Sequence, residues 1–264
     1  MNYFIPILLI IIVCIFDYLK LFRFDARFNT RSHSEFFKIS TDSDQNIFDL
    51  YVITLGKEER MLNIKNQQSK INNKINIFNG INGSQLNEDN LKEKNILAYN
   101  PSLSSNKIQA KREIGAYLSH IGIYKKIKKD NKDGYTIIFE DDFLINSPNL
   151  IEEVKKSIKT LNDKDINFDF LFLGNTTNNY GTNIADNLYN LDHNNNLYGL
   201  YGYLVNNKNI DKIIDKTSKI DRPIDNIIQD LSYENIFNTI IINPHLINHE
   251  YSFKSTVRNT ENDT

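Results

Sequence analysis

Tyr135-Thr136-Ile137-Ile138-Phe139-Glu140-Asp141-Asp142-Phe143 is the stretch on which the fold turns. β-Branched and aromatic residues run unbroken into three carboxylates, with Gly134 before them and Ser147-Pro148 after. An apolar run of this length between turn residues reads as a strand buried on both faces of a parallel sheet. The acids then sit at its carboxyl end, where open α/β sheets bind ligands. Alternation along the strand predicts that Glu140 and Asp142 point to one side and Asp141 to the other. Two converging carboxylates repel unless a cation lies between them. A hard divalent metal with oxygen ligands fits there, and such metals usually bridge to substrate phosphates. The alternative is that the acids cap the next helix or face water.

Working outward, the flanking segments alternate between periods of two and 3.6 residues. Upstream, Glu113 to Lys129 repeats Ile114, Tyr117, Leu118, Ile121, Tyr124 and Ile127 at helical spacing, and ends in four lysines that suit a helix C-terminus. Earlier still, Phe48 to Leu55 reads as a strand closed by Gly56, Lys57 to Asn72 as a helix, and Ile75 to Phe78 as a second strand. Downstream, Leu150 to Leu161 reads as an amphipathic helix and Phe168 to Gly174 as a buried strand. Leu197 to Val205 reads as a strand containing Gly199 and Gly202, a pattern that often marks close approach of a ligand or another backbone. Helices near Asn209 to Thr217 and Ile224 to Asn235 precede a last strand, Thr239 to Ile242. The alternation predicts an α/β sandwich with a mainly parallel central sheet.

The 264 residues suffice for one large domain, and the net charge of −2 gives no basic field to recruit nucleic acid. The single cysteine, Cys14, lies in the N-terminal apolar run. The folded part therefore has no internal disulfide, no cysteine-based zinc site and no thiol nucleophile. Tyr3 to Phe16 is almost wholly apolar, and extending it to Phe22 reaches membrane length across Asp17 and Lys20. No small-residue cleavage site follows, which predicts an uncleaved membrane anchor over 1–22 and a polar stem over 23–45. The globular domain then spans 46–264. A buried core helix is the alternative for the apolar run. Lys20, Arg23, Arg27 and Arg31 on its C-terminal side favour a cytosolic domain, although a luminal one stays open.

Several stretches resemble, in order and approximate spacing, the motifs of glycosyltransferase family 25. Tyr51-Val52-Ile53-Thr54-Leu55 followed by Arg60 is similar to its opening strand and arginine. Arg112 to His120 resembles its "GEIGC-x-x-SH" helix start, and Ile137 to Asp142 its "LILEDD" strand. Phe170 to Gly174, Tyr201 to Val205 and Pro223-Ile224-Asp225 resemble three further elements. The sequence departs from the pattern at Thr54 (usually asparagine), Arg112 (commonly glycine) and Tyr117 (commonly cysteine). The C-terminal "SD-I" segment is reduced to Ser255-Thr256-Val257.

The resemblance implies a GT-A-type fold and inverting transfer of a hexose, commonly galactose from UDP-galactose, to a glycan, glycolipid or protein acceptor such as hydroxylysine. A bound Mn²⁺ or Mg²⁺ would neutralise charge on the departing diphosphate. Glu140 and Asp142 are the candidate ligands, with His249 as a third by likeness to GT-A enzymes. Asp141 could contact the ribose or the donor sugar. Inversion needs a general base opposite the leaving group. Asp225 is the first choice and Asp230 an outside one, against a plain helix-start acid for Asp225. Ser119 and His120 are candidate donor contacts, and Arg60 a phosphate or acid partner. Structural roles for His120 and an exposed helical position for Arg60 are the alternatives. Tyr201 and Tyr203 could form a sugar-stacking platform or belong to the core. A metal-dependent phosphoesterase and a non-catalytic sugar-binding relative are the competing functional readings.

Overall fold

The decisive stretch forms strand β3 (Tyr135–Glu140) near the centre of an eight-stranded sheet. The computed structural model describes residues 47–97, 107–176, 180–191, 193 and 196–253. These lie in the compact unit Asn46–Thr264. The expected anchor and stem lie outside the described residues. Among the described residues no helix is long and apolar enough to cross a membrane.

In chain order the other strands are β1 (Phe48–Thr54), β2 (Ile75–Asn79), β4 (Phe143–Ile145), β5 (Phe170–Gly174), β6 (Asn183–Ala185), β7 (Leu188–Asn190), β8 (Gly202–Asn206), β9 (Thr239–Ile242) and β10 (Ile247–His249). The helices are α1 (Glu58–Gln68), α2 (Glu88–Glu93), α3 (Lys107–Asp130), α4 (Leu150–Asp163), α5 (Ile210–Lys216) and α6 (Ile224–Tyr233). The main sheet has the order β2-β1-β3-β8-β5-β9-β7-β6, while β4 and β10 pair antiparallel in a small second sheet.

Helices cover both faces, and the strand sequences show why. In β3, Ile137 and Phe139 join one core cluster while Ile138 joins the other. In β5, Leu171 and Leu173 divide from Phe170 and Phe172 in the same way. Ile64 of α1 and Val154, Ile158 and Leu161 of α4 pack on the first face. Ile114, Tyr117, Ile121, Tyr124 and Ile127 of α3 pack on the second, with Ile213 of α5 and Ile228 of α6. Strands buried on both faces have no polar side, which is why they read as continuous apolar runs.

The sheet is mostly parallel, as expected, with the parallel pairs β1–β2, β1–β3 and β5–β9, but it includes antiparallel pairings. β8 runs antiparallel to both neighbours, β3 and β5, and β7 runs antiparallel to β9. Direction is a property of the connections, and an apolar strand looks the same either way. β8 also starts at Gly202 rather than Leu197. Residues before it turn through Gly199, whose φ of +77° favours glycine over any side-chain-bearing residue. The Asn-rich stretch hides the β6–β7 hairpin, and β4 and β10 also go unanticipated; all four are three-residue strands. α3 begins at Lys107, six residues before the expected Glu113, because its first turns lack the apolar repeat.

Candidate active site

β3 ends at Glu140, and Asp141-Asp142 form the turn into β4. Strand alternation therefore stops at Glu140, which corrects the expected division of the acids. Arg60, fully buried on α1, places Nη1 3.2 Å from Asp141 Oδ1 and 2.9 Å from Asp142 Oδ2. One guanidinium thus gathers the two turn acids on the same side, and the Phe253 ring lies 4.5 Å from its centre. The exposed-helix alternative for Arg60 is overturned. Its charge is enclosed between two carboxylates and an aromatic face.

The same helix supplies more polar support. Asn63 Nδ2 donates to the backbone oxygens of Asp141 and Phe143, both at 3.0 Å. Gln67 donates to Asn63 at 3.1 Å and accepts from the Ile145 N–H at 3.0 Å. Arg60, Asn63 and Gln67 recur at three and four residues and form the inward face of α1, while Met61 and Leu62 are exposed. Thr54, at the end of β1, gives its hydroxyl to Asp141, as Leu55 gives its N–H. Burial raises the Asp141 carboxyl, with Thr54 and Arg60 opposing the shift.

Glu140 turns elsewhere. Its Oε1 lies 3.4 Å from His120 Nε2, and His120 Nδ1 lies 2.7 Å from the Tyr203 hydroxyl. Tyr203 meets the Tyr124 hydroxyl at 2.9 Å. The chain Tyr124–Tyr203–His120–Glu140 is buried until its last member. Burial pushes the imidazole down to about 3, so His120 is neutral at physiological pH. A neutral ring donates from only one nitrogen, so His120 donates in one of these two contacts and accepts in the other. Burial, then the carboxylates of Asp142, Asp225 and Asp141, push Glu140 up to about 8. Tyr203 is fully buried in this chain, which removes it from any exposed platform.

Asp225 lies in the first turn of α6, which starts at Ile224 directly after the Pro223 signal. Its Oδ2 accepts from the Gly199 N–H at 3.1 Å and its Oδ1 from the Asn226 N–H at 3.0 Å. Its field reaches both His120 and Glu140. The glycine turn before β8 thus fixes the orientation of this carboxylate. Asp230 is instead ion-paired with Arg222. Ser119 is buried, accepting from the Ile81 N–H at 2.8 Å and donating to the Gly115 oxygen at 2.7 Å. It ties α3 to the segment after β2, and neither partner belongs to the acid cluster.

His249 ends β10, opposite Phe143 of β4. Its Nε2 lies 4.0 Å from Asp142 Oδ2, and its ring sits 4.8 Å from that of Tyr201. Among the described residues no group of three His, Cys, Asp or Glu side chains is gathered to hold a metal ion. The expected trio of Glu140, Asp142 and His249 is therefore not assembled as one ligand set. Asp142 Oδ1 and His249 Nδ1 are nevertheless both buried without a hydrogen-bond partner, although His249 turns its other nitrogen, Nε2, towards Asp142. Buried polar atoms left bare are costly, and a site completed by substrate phosphates needs only one or two protein ligands.

The turn at the end of β3 thus brings together Glu140, Asp141, Asp142, Arg60, His120, Asp225 and His249. Thr54, Asn63, Gln67 and Phe253 join them without having been singled out as site residues. The signal for Asn63 and Gln67 was their spacing from Arg60. A sequence profile described as "Glycosyltransferase family 25 (LPS biosynthesis protein)" matches residues 48–228. No curated protein matches the chain significantly.

Proposed function

Because this chain belongs to glycosyltransferase family 25, we propose that it transfers a hexose from a UDP-sugar, with UDP-galactose the first candidate, to a hydroxyl of a glycan, glycolipid or hydroxylysine-type acceptor. The family implies a nucleotide-sugar donor and a glycan acceptor. The observation that carries the finer reading is the placement of Asp142, with a bare buried oxygen, 4.0 Å from His249, while Asp142 and Asp225 both act on the charge of Glu140. The GT-A assignment belongs to the same proposal, supported by helices on both sheet faces and acids at the carboxyl end of β3.

Asp142 and His249 would hold Mn²⁺ or Mg²⁺, which supplies neutralisation of charge on the diphosphate oxygens. Arg60 fixes the carboxylate of Asp142 through one oxygen and leaves the other open. Asp225 accepts the proton of the acceptor hydroxyl as its oxygen bonds to the anomeric carbon. The bond to the diphosphate breaks on the opposite face, its electron pair leaves with UDP, and the configuration inverts. Two backbone N–H groups keep Asp225 oriented for this step. The N-terminal apolar segment, residues 1–22, is proposed to anchor the enzyme to a membrane.

A screen of nucleotide sugars for turnover, with Mn²⁺ and with a chelator, tests the proposal. Mn²⁺-dependent release of UDP from one UDP-hexose is the expected result. A chain that binds a UDP-sugar but never cleaves it would be a non-catalytic relative. Phosphate release from simple phosphoesters would instead support a phosphoesterase.

A further inference from the structure

We propose that Tyr251 is a stacking platform for a pyranose ring at the mouth of the acid site, a specificity contact that rests on the glycosyltransferase reading. Tyr251 is 81% exposed, more than any other large hydrophobic side chain among the described residues. Such exposure in a floppy tail would mean little, but this ring stands on a pinned turn. The Glu250 N–H donates to the Asp142 backbone oxygen at 2.8 Å, so the segment is fastened to the acid turn itself. Glu250 Oε1 then accepts from the Ser252 N–H at 3.0 Å, and the Phe253 N–H reaches the Glu250 oxygen at 3.3 Å. Phe253 closes the turn by covering Arg60. With its neighbours fixed on both sides, Tyr251 is held outward.

The ring also continues an aromatic row that begins inside the site. Tyr201, His249 and Tyr251 follow one another, with centroids 4.8 Å and then 5.0 Å apart. The Tyr201 hydroxyl is bonded to Thr176, which fixes the inner end. Tyr251 and His249 meet at an interplanar angle of 82° rather than stacking, and with 81% of its surface exposed the tyrosine keeps a face open to solvent. An open aromatic face beside a row whose middle ring, His249, lies 4.0 Å from the Asp142 carboxylate matches the two sides of a pyranose. The ring's C–H face packs on the aromatic, and its hydroxyls reach the acids. Of the two tyrosines expected as a platform from the sequence, Tyr203 is buried and Tyr201 half-buried, so the role passes outward to Tyr251.

The pyranose could be the donor's sugar or the acceptor's, and the experiment separates them. The full chain is titrated, in calorimetry and in saturation-transfer NMR, with UDP, UDP-galactose, methyl galactoside and lactose. Wild type is compared with Y251A, Y251F and Y251W, each checked for an unchanged melting temperature. The platform predicts that Y251A weakens saccharide binding roughly three- to tenfold, as expected for an aromatic stacking contact, while Y251F and Y251W retain it. Loss confined to methyl galactoside and lactose assigns the acceptor's ring. Loss for UDP-galactose with UDP unchanged assigns the donor's sugar. Equal saccharide binding by wild type and Y251A, or none by either, overturns the inference. Failure of wild type to bind any UDP-sugar strikes the glycosyltransferase reading instead.

Discussion

Arg60 holds a buried charge between two carboxylates. It is fully buried, and the side chains of Asp141 and Asp142 against it are only 12% and 16% exposed. Removing one member of a buried ion cluster leaves the others uncompensated, typically at a cost of about 3–5 kcal/mol. Arg60→Met should therefore destabilise the chain by about that amount in chemical denaturation. A change below about 0.5 kcal/mol, the scale of ordinary surface substitutions, would show that the acids do not depend on the guanidinium. Asp225→Asn tests a different residue-level claim. It keeps the shape and should lose turnover by about 10²- to 10⁴-fold, the usual contribution of a general base. Donor affinity should stay near that of wild type. A large loss of donor affinity with turnover retained would assign Asp225 to binding.

At the level of elements, two close backbone approaches go through glycine. A Cβ on Gly115 of α3 would come 2.5 Å from the Gly83 nitrogen and 2.6 Å from the Ile81 oxygen. A Cβ on Gly174, at the end of β5, would collide with the backbone carbonyl of Ile247 in β10. Neither neighbour is a flexible side chain that could swing away. Gly115→Ala and Gly174→Ala should each cost about 1–3 kcal/mol, the range for overpacking, read from denaturation midpoints. Gly174→Ala should also weaken donor binding, since β10 carries His249. Unchanged stability in both variants would mean that these elements are not in backbone contact.

The same elements show what the sequence made legible. β3, β5 and β9 stood out because strands buried on both faces leave long apolar runs, and Thr239–Ile242 has its expected bounds. β4, β6, β7 and β10 did not, because three residues are too few to show a period. The inward face of α1 was missed for a different reason. Arginine, asparagine and glutamine look solvated, and only the chain folded around them shows that Asp141, Phe143 and Ile145 satisfy them. His120 and Asp225 were found through motif order; their proximity to Glu140 depends on the crossovers that bring α3 and α6 to one face.

For the whole molecule, the two strongly shifted groups at the site set a pH window. His120 stays neutral down to about 3, whereas an unfolded histidine protonates near 6.5. The unfolded chain therefore binds the extra proton between those values, and stability from this group falls as pH drops from 6.5 towards 3. Glu140 ionises near 8 when folded and near 4.5 when unfolded. Here the folded state holds the extra proton, so its contribution falls as pH rises from 4.5 to 8. Together they predict that metal-free protein is most stable between about pH 4.5 and 6.5. His120→Gln should flatten the acid limb of a pH–stability curve, and Glu140→Gln the alkaline limb. A curve whose two limbs ignore both substitutions would place its titrating groups elsewhere.

The central claim is that Asp142 anchors a cation and diphosphate at the end of β3. It is tested most directly by measuring UDP-sugar binding and turnover in wild type and Asp142→Asn across a Mn²⁺ titration. The expected result is Mn²⁺-dependent binding and UDP release in wild type, and a loss of about 10²-fold or more in a variant that folds normally. Full activity of Asp142→Asn at the same Mn²⁺ concentration, or wild-type turnover undiminished by chelation, would contradict it.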